Sequence, residues 1–99
     1  MLSQPAKGKV VIDPGARIAL QKQNRSLLPA GIAKAQGKFE RGDIIEINDS
    51  DGNIIGSGIS GYSSTDISQI KGSRSERILE ILGYAHGDEV IHKDNMLIL

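Results

Sequence analysis

The 99-residue chain has no cysteine and no tryptophan, and only three aromatic residues, Phe39, Tyr62 and Tyr84. Without cysteine there can be no disulfide staple and no thiolate metal site, a composition that suits a reducing compartment. With so few aromatics, the stacking platforms of single-strand nucleic-acid binders are nearly absent, and Phe39 reads as a core residue. No apolar run approaches the ~20 residues needed to span a bilayer. The opening residues, Met1 to Lys9, are polar, and no apolar stretch follows them as it would in a secretory leader. The Asn-x-Ser triplets at Asn24 and Asn48 therefore carry no glycosylation meaning. There is no Gly-Lys-Ser/Thr phosphate loop, and no serine stands in a nucleophile elbow with a partnered histidine and acid. These absences point to one small, soluble, mixed α/β domain, expected in the cytoplasm, with no catalytic residue, no metal site and no cofactor of its own.

The formal net charge is zero, yet the charge is unevenly spread. Up to Ile45 there are eight basic and three acidic residues, a net of +5; from Glu46 onward there are four basic and nine acidic residues, a net of −5. Opposed halves suggest a polarised surface only if halves of the sequence become halves of the fold.

The first eight residues, with Pro5 and Gly8, read as a linker, and residues 9–99 as the domain. Lys9 to Ile12 is a β-branched strand. Asp13-Pro14 opens a helix, because aspartate caps free N–H groups and proline suits the first turn. On that helix Ala16, Ala19 and Leu20 share one face, Arg17, Gln21 and Arg25 recur every fourth residue on another, and Asn24 is a C-terminal stop. Gly31 to Gln36 is extended, Gly37 to Gly42 is a turn, and Asp43–Asn48 and Asn53–Ile59 are strands. Asp49-Ser50-Asp51-Gly52 joins those strands as a tight hairpin, since aspartate and glycine tolerate positive φ. Ser63 or Ser64 caps a short helix ending at Lys71-Gly72. Ser73-Arg74-Ser75-Glu76 has the form of a capping box before a helix with Ile78, Ile81 and Leu82 inward and Gly83 at its end. Glu89–His92 and Met96–Leu99 read as closing strands. The tight hairpin and short strands argue against a doubly wound parallel sheet. Twelve glycines favour a curved sheet or small barrel.

Two patterns invite chemistry. Gly56-Ser57-Gly58-Ile59-Ser60-Gly61 matches a dinucleotide-binding loop letter for letter, but that chemistry needs the glycines between a parallel strand and a long helix. Here they follow a hairpin strand, so glycines that let a strand bend are the better reading. His86, His92 and Asp94 have acid–base potential, but two histidines without helical or two-residue spacing do not define a zinc site. His92 is expected to satisfy a turn hydrogen bond beside Asp94.

Three stretches carry a family resemblance: Ser26-Leu27-Leu28-Pro29-Ala30-Gly31-Ile32; Phe39-x-Arg41-Gly42-Asp43-x-x-Glu46-Ile47; and Asp51-Gly52 with Gly58-x-x-x-Tyr62-Ser63-Ser64. Together they resemble the PUA domain, the small pseudo-barrel found on RNA-modifying and a few metabolic enzymes. Ile70-Lys71-Gly72, Ile78-x-Glu80-Ile81-Leu82-Gly83-Tyr84 and Glu89-Val90-Ile91-His92-Lys93-Asp94-Asn95-Met96 are similar to the C-terminal PUA domains of bacterial glutamate 5-kinases. The match runs from about Lys9 to the end. Lys93 stands where that group often has arginine, and Ser60-Gly61 precedes Tyr62 where a bulkier or amide residue is common.

The resemblance implies a mixed α/β, mainly β fold, a PUA-like pseudo-barrel of short mixed strands with short helices. It makes Leu28, Pro29, Gly31, Gly42, Asp43, Gly52 and Gly72 its structural motif. It implies an accessory, non-catalytic domain cut from a kinase whose amino-acid-kinase domain lies N-terminal. That kinase domain would use ATP and Mg2+ to phosphorylate the side-chain carboxylate of glutamate, the first step toward proline, in a parent that is a homo-oligomer. The partner is then the kinase domain of the same polypeptide, with no membrane involved. The alternative is an RNA-binding module. In PUA domains that bind RNA, the first helix and the following strand form the contact surface, which points to Arg17, Lys22, Arg25, Lys34 and Lys38 meeting the phosphates of a structured RNA.

Overall fold

The computed structural model describes residues 5–99; residues 1–4 of the expected linker lie outside the described residues. Strand β1 (Gly8–Ile12) starts one residue earlier than expected and buries Val10 and Ile12 completely. Helix α1 (Pro14–Lys22) follows at once. The Asp13 carboxylate accepts the Ala16 N–H at 2.7 Å, as a capping aspartate should. The helix ends three residues before Arg25. Asn24 adopts the left-handed conformation with φ 51°, and the Arg25 N–H turns back to the Ala19 carbonyl. The expected row Arg17, Gln21, Arg25 is therefore broken, with Arg25 in the loop beyond the helix.

A 3-10 turn at Pro29–Gly31 leads into β2 (Ile32–Gly37), then β3 (Ile44–Asn48) and β4 (Ile54–Ile59). The β3–β4 hairpin is organised by Asp49. Its Oδ1 accepts the N–H groups of Asp51 and Asn53, and Gly52 takes φ +87°. Helix α2 (Ser64–Ile70) is capped by Ser63, whose hydroxyl accepts the Asp66 N–H, while Ser64 binds the backbone of Phe39. Gly72, at φ +74°, sends its N–H to the Pro29 carbonyl, so two of the motif residues meet. Gly42 and Asp43 are each tied to other backbone: Gly42 donates to the Ser60 carbonyl, and the Asp43 carboxylate accepts the Glu40 N–H.

Two expectations for the C-terminal part fail. The Ser73–Glu76 capping box does not form: a 3-10 turn, Ser75–Arg77, intervenes before α3 (Ile78–Leu82), and neither has a side-chain cap. The Ser75 hydroxyl is used elsewhere, donating to the Asp88 carbonyl. Residues Glu89–His92 are not a strand of the sheet. They make only an isolated antiparallel bridge, Leu27 to Ile91, because Val90 and Ile91 are buried against the Ser26–Leu27 segment. A third 3-10 turn, Lys93–Asn95, precedes β5 (Met96–Ile98).

The five strands form one mixed sheet in the order β2-β1-β3-β4-β5, with β1 parallel to β3 and the other pairs antiparallel. Its inner face supplies Val10, Ile12, Ile45 and Ile47, covered by Leu20 of α1, Ile67 and Ile70 of α2 and Ile78 of α3. Phe39 and Tyr62 are fully enclosed in the same core. The glycines of Gly56–Gly61 serve close packing of backbone, not a nucleotide. A Cβ at Gly56 would run into the Leu97 carbonyl, and one at Gly58 would lie 2.7 Å from the Ile91 Cγ2.

Candidate functional site

The five basic residues singled out in the sequence do not converge. Arg17 is turned inward along the surface: Nη1 meets the Asp49 Oδ2 at 3.1 Å and Nε donates to the Gln21 Oε1. Asp49 is only 6 % exposed. The Asn53 side-chain amide, then the N–H groups of Asn53 and Asp51 and the Arg17 guanidinium, hold its carboxyl below the usual carboxylate range against the opposing effect of burial. Arg17 thus clamps α1 to the β3–β4 hairpin and has its charge matched. Lys34 lies on β2 opposite Val11, sharing a face with Lys9, while Lys38 is exposed in the turn after Gly37. Lys22 and Arg25 flank the C-terminal end of α1.

What the fold does build beside α1 is a groove of about 280 Å³. Its walls are Ala16, Ala19 and Leu20 on the helix and Leu27, Leu28 and Gly31 on the returning segment, with Arg25 and Ser26 at its polar end. The groove exists because helix and segment approach so closely. The Asp13 N–H binds the Gly31 carbonyl at 3.0 Å, and a Cβ on Gly31 would stand 2.5 Å from the Ala16 Cβ. Sequence reading assigned Gly31 to a bend; the structure shows that the lacking atom makes room for a helix. The floor is apolar, and the lining carries one charge of each sign: the Arg25 guanidinium and the Asp13 carboxylate, which caps α1.

His92 accepts the Asp94 N–H on Nδ1 at 3.1 Å, the turn hydrogen bond expected of it. His86 leans on Tyr62 and Tyr84, with ring centroids 5.3 and 5.2 Å away. The Tyr84 hydroxyl donates to Asp66 Oδ2, and this bond holds the phenol above its ordinary pKa. Among the described residues, no three His, Cys, Asp or Glu side chains converge on a metal position.

A five-stranded mixed sheet closed by short helices, with a groove between the first helix and a glycine-bearing loop, defines a small pseudo-barrel domain. The PUA-domain profile matches residues 8–82, and the chain belongs to the PUA domain family. The chain is 43% identical over 96 residues to the glutamate 5-kinase of Syntrophotalea carbinolica, covering 97% of this chain and 26% of that protein. It is 46% identical over 92 residues to the glutamate 5-kinase of Geobacter sulfurreducens, covering 93% and 25%. The chain thus spans about a quarter of the length of the glutamate 5-kinases it matches. Among solved structures, a PUA domain from Aeropyrum pernix, determined as a tartrate complex, superposes with a TM-score of 0.62 at 25% identity, over 87% of this chain and 41% of that one. A chain of the archaeal box H/ACA sRNP Nop10–Cbf5 complex shares the fold, with a TM-score of 0.58 at 21% identity over 63% of this chain and 20% of that one. Among the described residues no helix is long and apolar enough to cross a membrane.

Proposed function

We propose that this chain is the non-catalytic accessory domain of a glutamate 5-kinase, working in the cytoplasm on the assembly and regulation of an enzyme whose chemistry lies elsewhere. One observation carries the reading: nearly the whole chain aligns, at 43% and 46% identity, with about a quarter of two glutamate 5-kinases. In that parent, ATP and Mg2+ serve phosphorylation of L-glutamate to glutamyl 5-phosphate for proline biosynthesis, and the partner of this domain is the kinase domain of the same polypeptide. Phosphoryl transfer needs a clamp for phosphates and metal, and the described residues bring no three His, Cys, Asp or Glu side chains together as such a clamp would. The test incubates the 99-residue chain with ATP, Mg2+ and glutamate, beside the full-length kinase and the kinase lacking this domain. The expected result is no glutamyl phosphate from the chain alone and altered assembly or feedback control, with retained chemistry, in the shortened kinase. Turnover by the chain alone would overturn the reading.

A second reading, contact with structured RNA, is favoured by the α1 groove, with Lys22 and Arg25 beside it and Lys34 and Lys38 exposed on and after β2. Such contacts release counterions, so binding weakens steeply with salt. Reversal of Arg25 and Lys38 to glutamate should abolish binding to a folded RNA at low salt, whereas reversal of Arg74 and Arg77 should matter less. A gel-shift series in which wild type shows no complex, or the two double variants behave alike, removes this reading.

A further inference from the structure

A second concavity lies away from the α1 groove and is larger, at about 720 Å³. Three backbone segments enclose it: the Arg41–Gly42 turn before β3, the Ser60–Gly61 corner after β4, and the segment from His86 to Asn95. The rim is fixed. The Gly42 N–H binds the Ser60 carbonyl at 2.8 Å, and the Gly61 N–H binds the Val90 carbonyl at 2.7 Å. Tyr62, wholly buried, holds the third wall, its hydroxyl accepting the His86 N–H at 2.7 Å and donating to the Gly87 carbonyl at 2.6 Å.

With the Ser60 hydroxyl spent on the Tyr62 carbonyl, four other donor side chains line this cleft: Arg41, His86, His92 and Asn95. The Arg41 guanidinium forms no ion pair among the described residues. His92 is oriented by its own turn. With Nδ1 accepting the Asp94 N–H, the neutral ring carries its hydrogen on Nε2, which has no partner among the described residues. One acid, Glu89, shares the lining, and the Asp94 carboxylate stands 3.6 Å from the His92 Nδ1. Behind His86 stand the phenols of Tyr62 and Tyr84, the latter bound to Asp66. The β4 wall, Ile59 to Gly61, brings no charge. Arg41 and Glu89 oppose each other in the lining, and Asp94 adds a second carboxylate beside His92, so each proton gained by an imidazole moves the cleft one charge toward the cationic side.

We propose that this cleft, built by Arg41, His86, His92 and Asn95 on a rim pinned by Tyr62, binds a small doubly charged oxyanion, and binds it more tightly as pH falls. The bound chemistry is a pair of oxygens sharing negative charge, as in a phosphate group or a dicarboxylate. Arg41 is the permanent cation, and the imidazoles donate when neutral and add charge when protonated. The proposal stands apart from the accessory-domain reading, because it concerns only residues of this chain.

The test is a chemical-shift titration of the isotopically labelled 99-residue chain at constant ionic strength. Sulfate stands in for the phosphate group at both pH values, since its charge does not change across the range used, and succinate, which takes up a proton toward the lower pH, stands in for paired carboxylates at the higher pH only. Measurements at about pH 5.5 and about pH 8 bracket the ordinary imidazole range. The expected result is a saturable response at Gly42, Gly61 and the His86–Asn95 segment, about three- to tenfold tighter at the lower pH, the size of one or two exposed ion pairs. Arg41→Ala should remove it at both pH values. His86→Gln with His92→Gln should remove the pH dependence. Glu89→Gln should tighten sulfate binding at the higher pH, a gain that a merely damaged fold cannot give. Response to both probes supports a general oxyanion site, and response to one alone narrows the class. No saturable response, shifts confined to Lys22 and Arg25, or sulfate affinity unchanged in Arg41→Ala would overturn the proposal.

Discussion

Gly31 is the position where one added atom should tell most. Its ideal Cβ would lie 2.5 Å from the Ala16 Cβ, whereas apolar carbons rest about 3.5–4.0 Å apart, so helix and turn must separate by about 1 Å or more. Neither side yields cheaply. Gly31 is tied to the Asp13 N–H through its carbonyl and to the Leu28 carbonyl through its N–H, and α1 is anchored by Leu20 in the core and by the Arg17–Asp49 contact. Overpacking of this kind costs about 1–3 kcal/mol. A less flexible unfolded chain returns about 0.4–1 kcal/mol in Gly31→Ala. Taken at their midpoints, the two leave a net loss of about 1.3 kcal/mol, a fall of about 5–10 °C in Tm for a domain of this size. Gly31→Val should lose more. The control is Ala16→Gly, which removes the atom that is struck at a helix-propensity cost of up to ~1 kcal/mol. In the double variant the two losses should be less than additive by about 1 kcal/mol or more. Urea and thermal unfolding of the four proteins measures this cycle. A Gly31→Ala protein as stable as wild type, or a strictly additive cycle, refutes the reasoning and returns Gly31 to the status of an ordinary bend.

The Asp49 carboxyl titrates below its usual value in the fold, so its contribution to stability is complete above the ordinary carboxylate pKa of about 3.9 and is lost as pH falls through the folded value. Urea midpoints measured downward from about pH 5 should therefore drop less steeply in Asp49→Asn than in wild type, and parallel curves would contradict the assignment. Tyr62→Phe removes a buried hydroxyl that serves both the His86 N–H and the Gly87 carbonyl, and should cost about 1–3 kcal/mol in the same assay. Gly56→Ala sets a Cβ against the Leu97 carbonyl, so hydrogen exchange of the β5 amides should accelerate while those of β1 stay protected; uniform change across the sheet would mean global loosening instead.

The legible parts of this fold are those whose signals are local. The Asp13 cap, the Asn24 stop, the Asp49–Gly52 hairpin and the Ser63 cap each depend on a side chain and a backbone group a few residues away, and all four form. Ser73–Glu76 carries an equally local signal and fails, because the turn begins at Ser75 with Arg74 at its N-cap, and Ser73 sits one residue too early to cap it, its N–H closing the preceding turn on the Ile70 carbonyl. The Glu89–His92 run has strand-like residues but no place in the sheet, because β4 pairs with β5 and the Ser26–Leu27 segment takes Val90 and Ile91 instead. Arg17 was legible as a helix-face cation but not as the partner of Asp49, 32 residues away. The two concavities follow the same rule. The α1 groove depends on a close approach between Gly31 and Ala16, and the cleft on Tyr62 holding a loop 24 residues later, so neither shows in any short window of sequence.

The charge asymmetry of the sequence becomes partly spatial for a topological reason. The strands of the basic half, β2 and β1, lie together at one side of the sheet, while β4 and β5 of the acidic half lie at the other, with β3 between them. Helix α2 crosses back to pack near β2, and Arg17 spends its charge on Asp49, so the division is incomplete. The groove and the cleft are separated by a single wall. Leu27 lines the groove, and its N–H and carbonyl bind the Ile91 carbonyl and the Val90 N–H at 2.9 and 2.8 Å, beside the cleft. The Ser26 hydroxyl accepts the Lys93 N–H across the same seam. A ligand in either concavity will therefore shift amides along this seam as well as those of its own lining, and the variants complete the assignment that the shift map begins. Arg41 belongs to the cleft and Arg25 to the groove. Loss of a ligand's binding on changing one arginine, with retention on changing the other, assigns that ligand to its side of the wall.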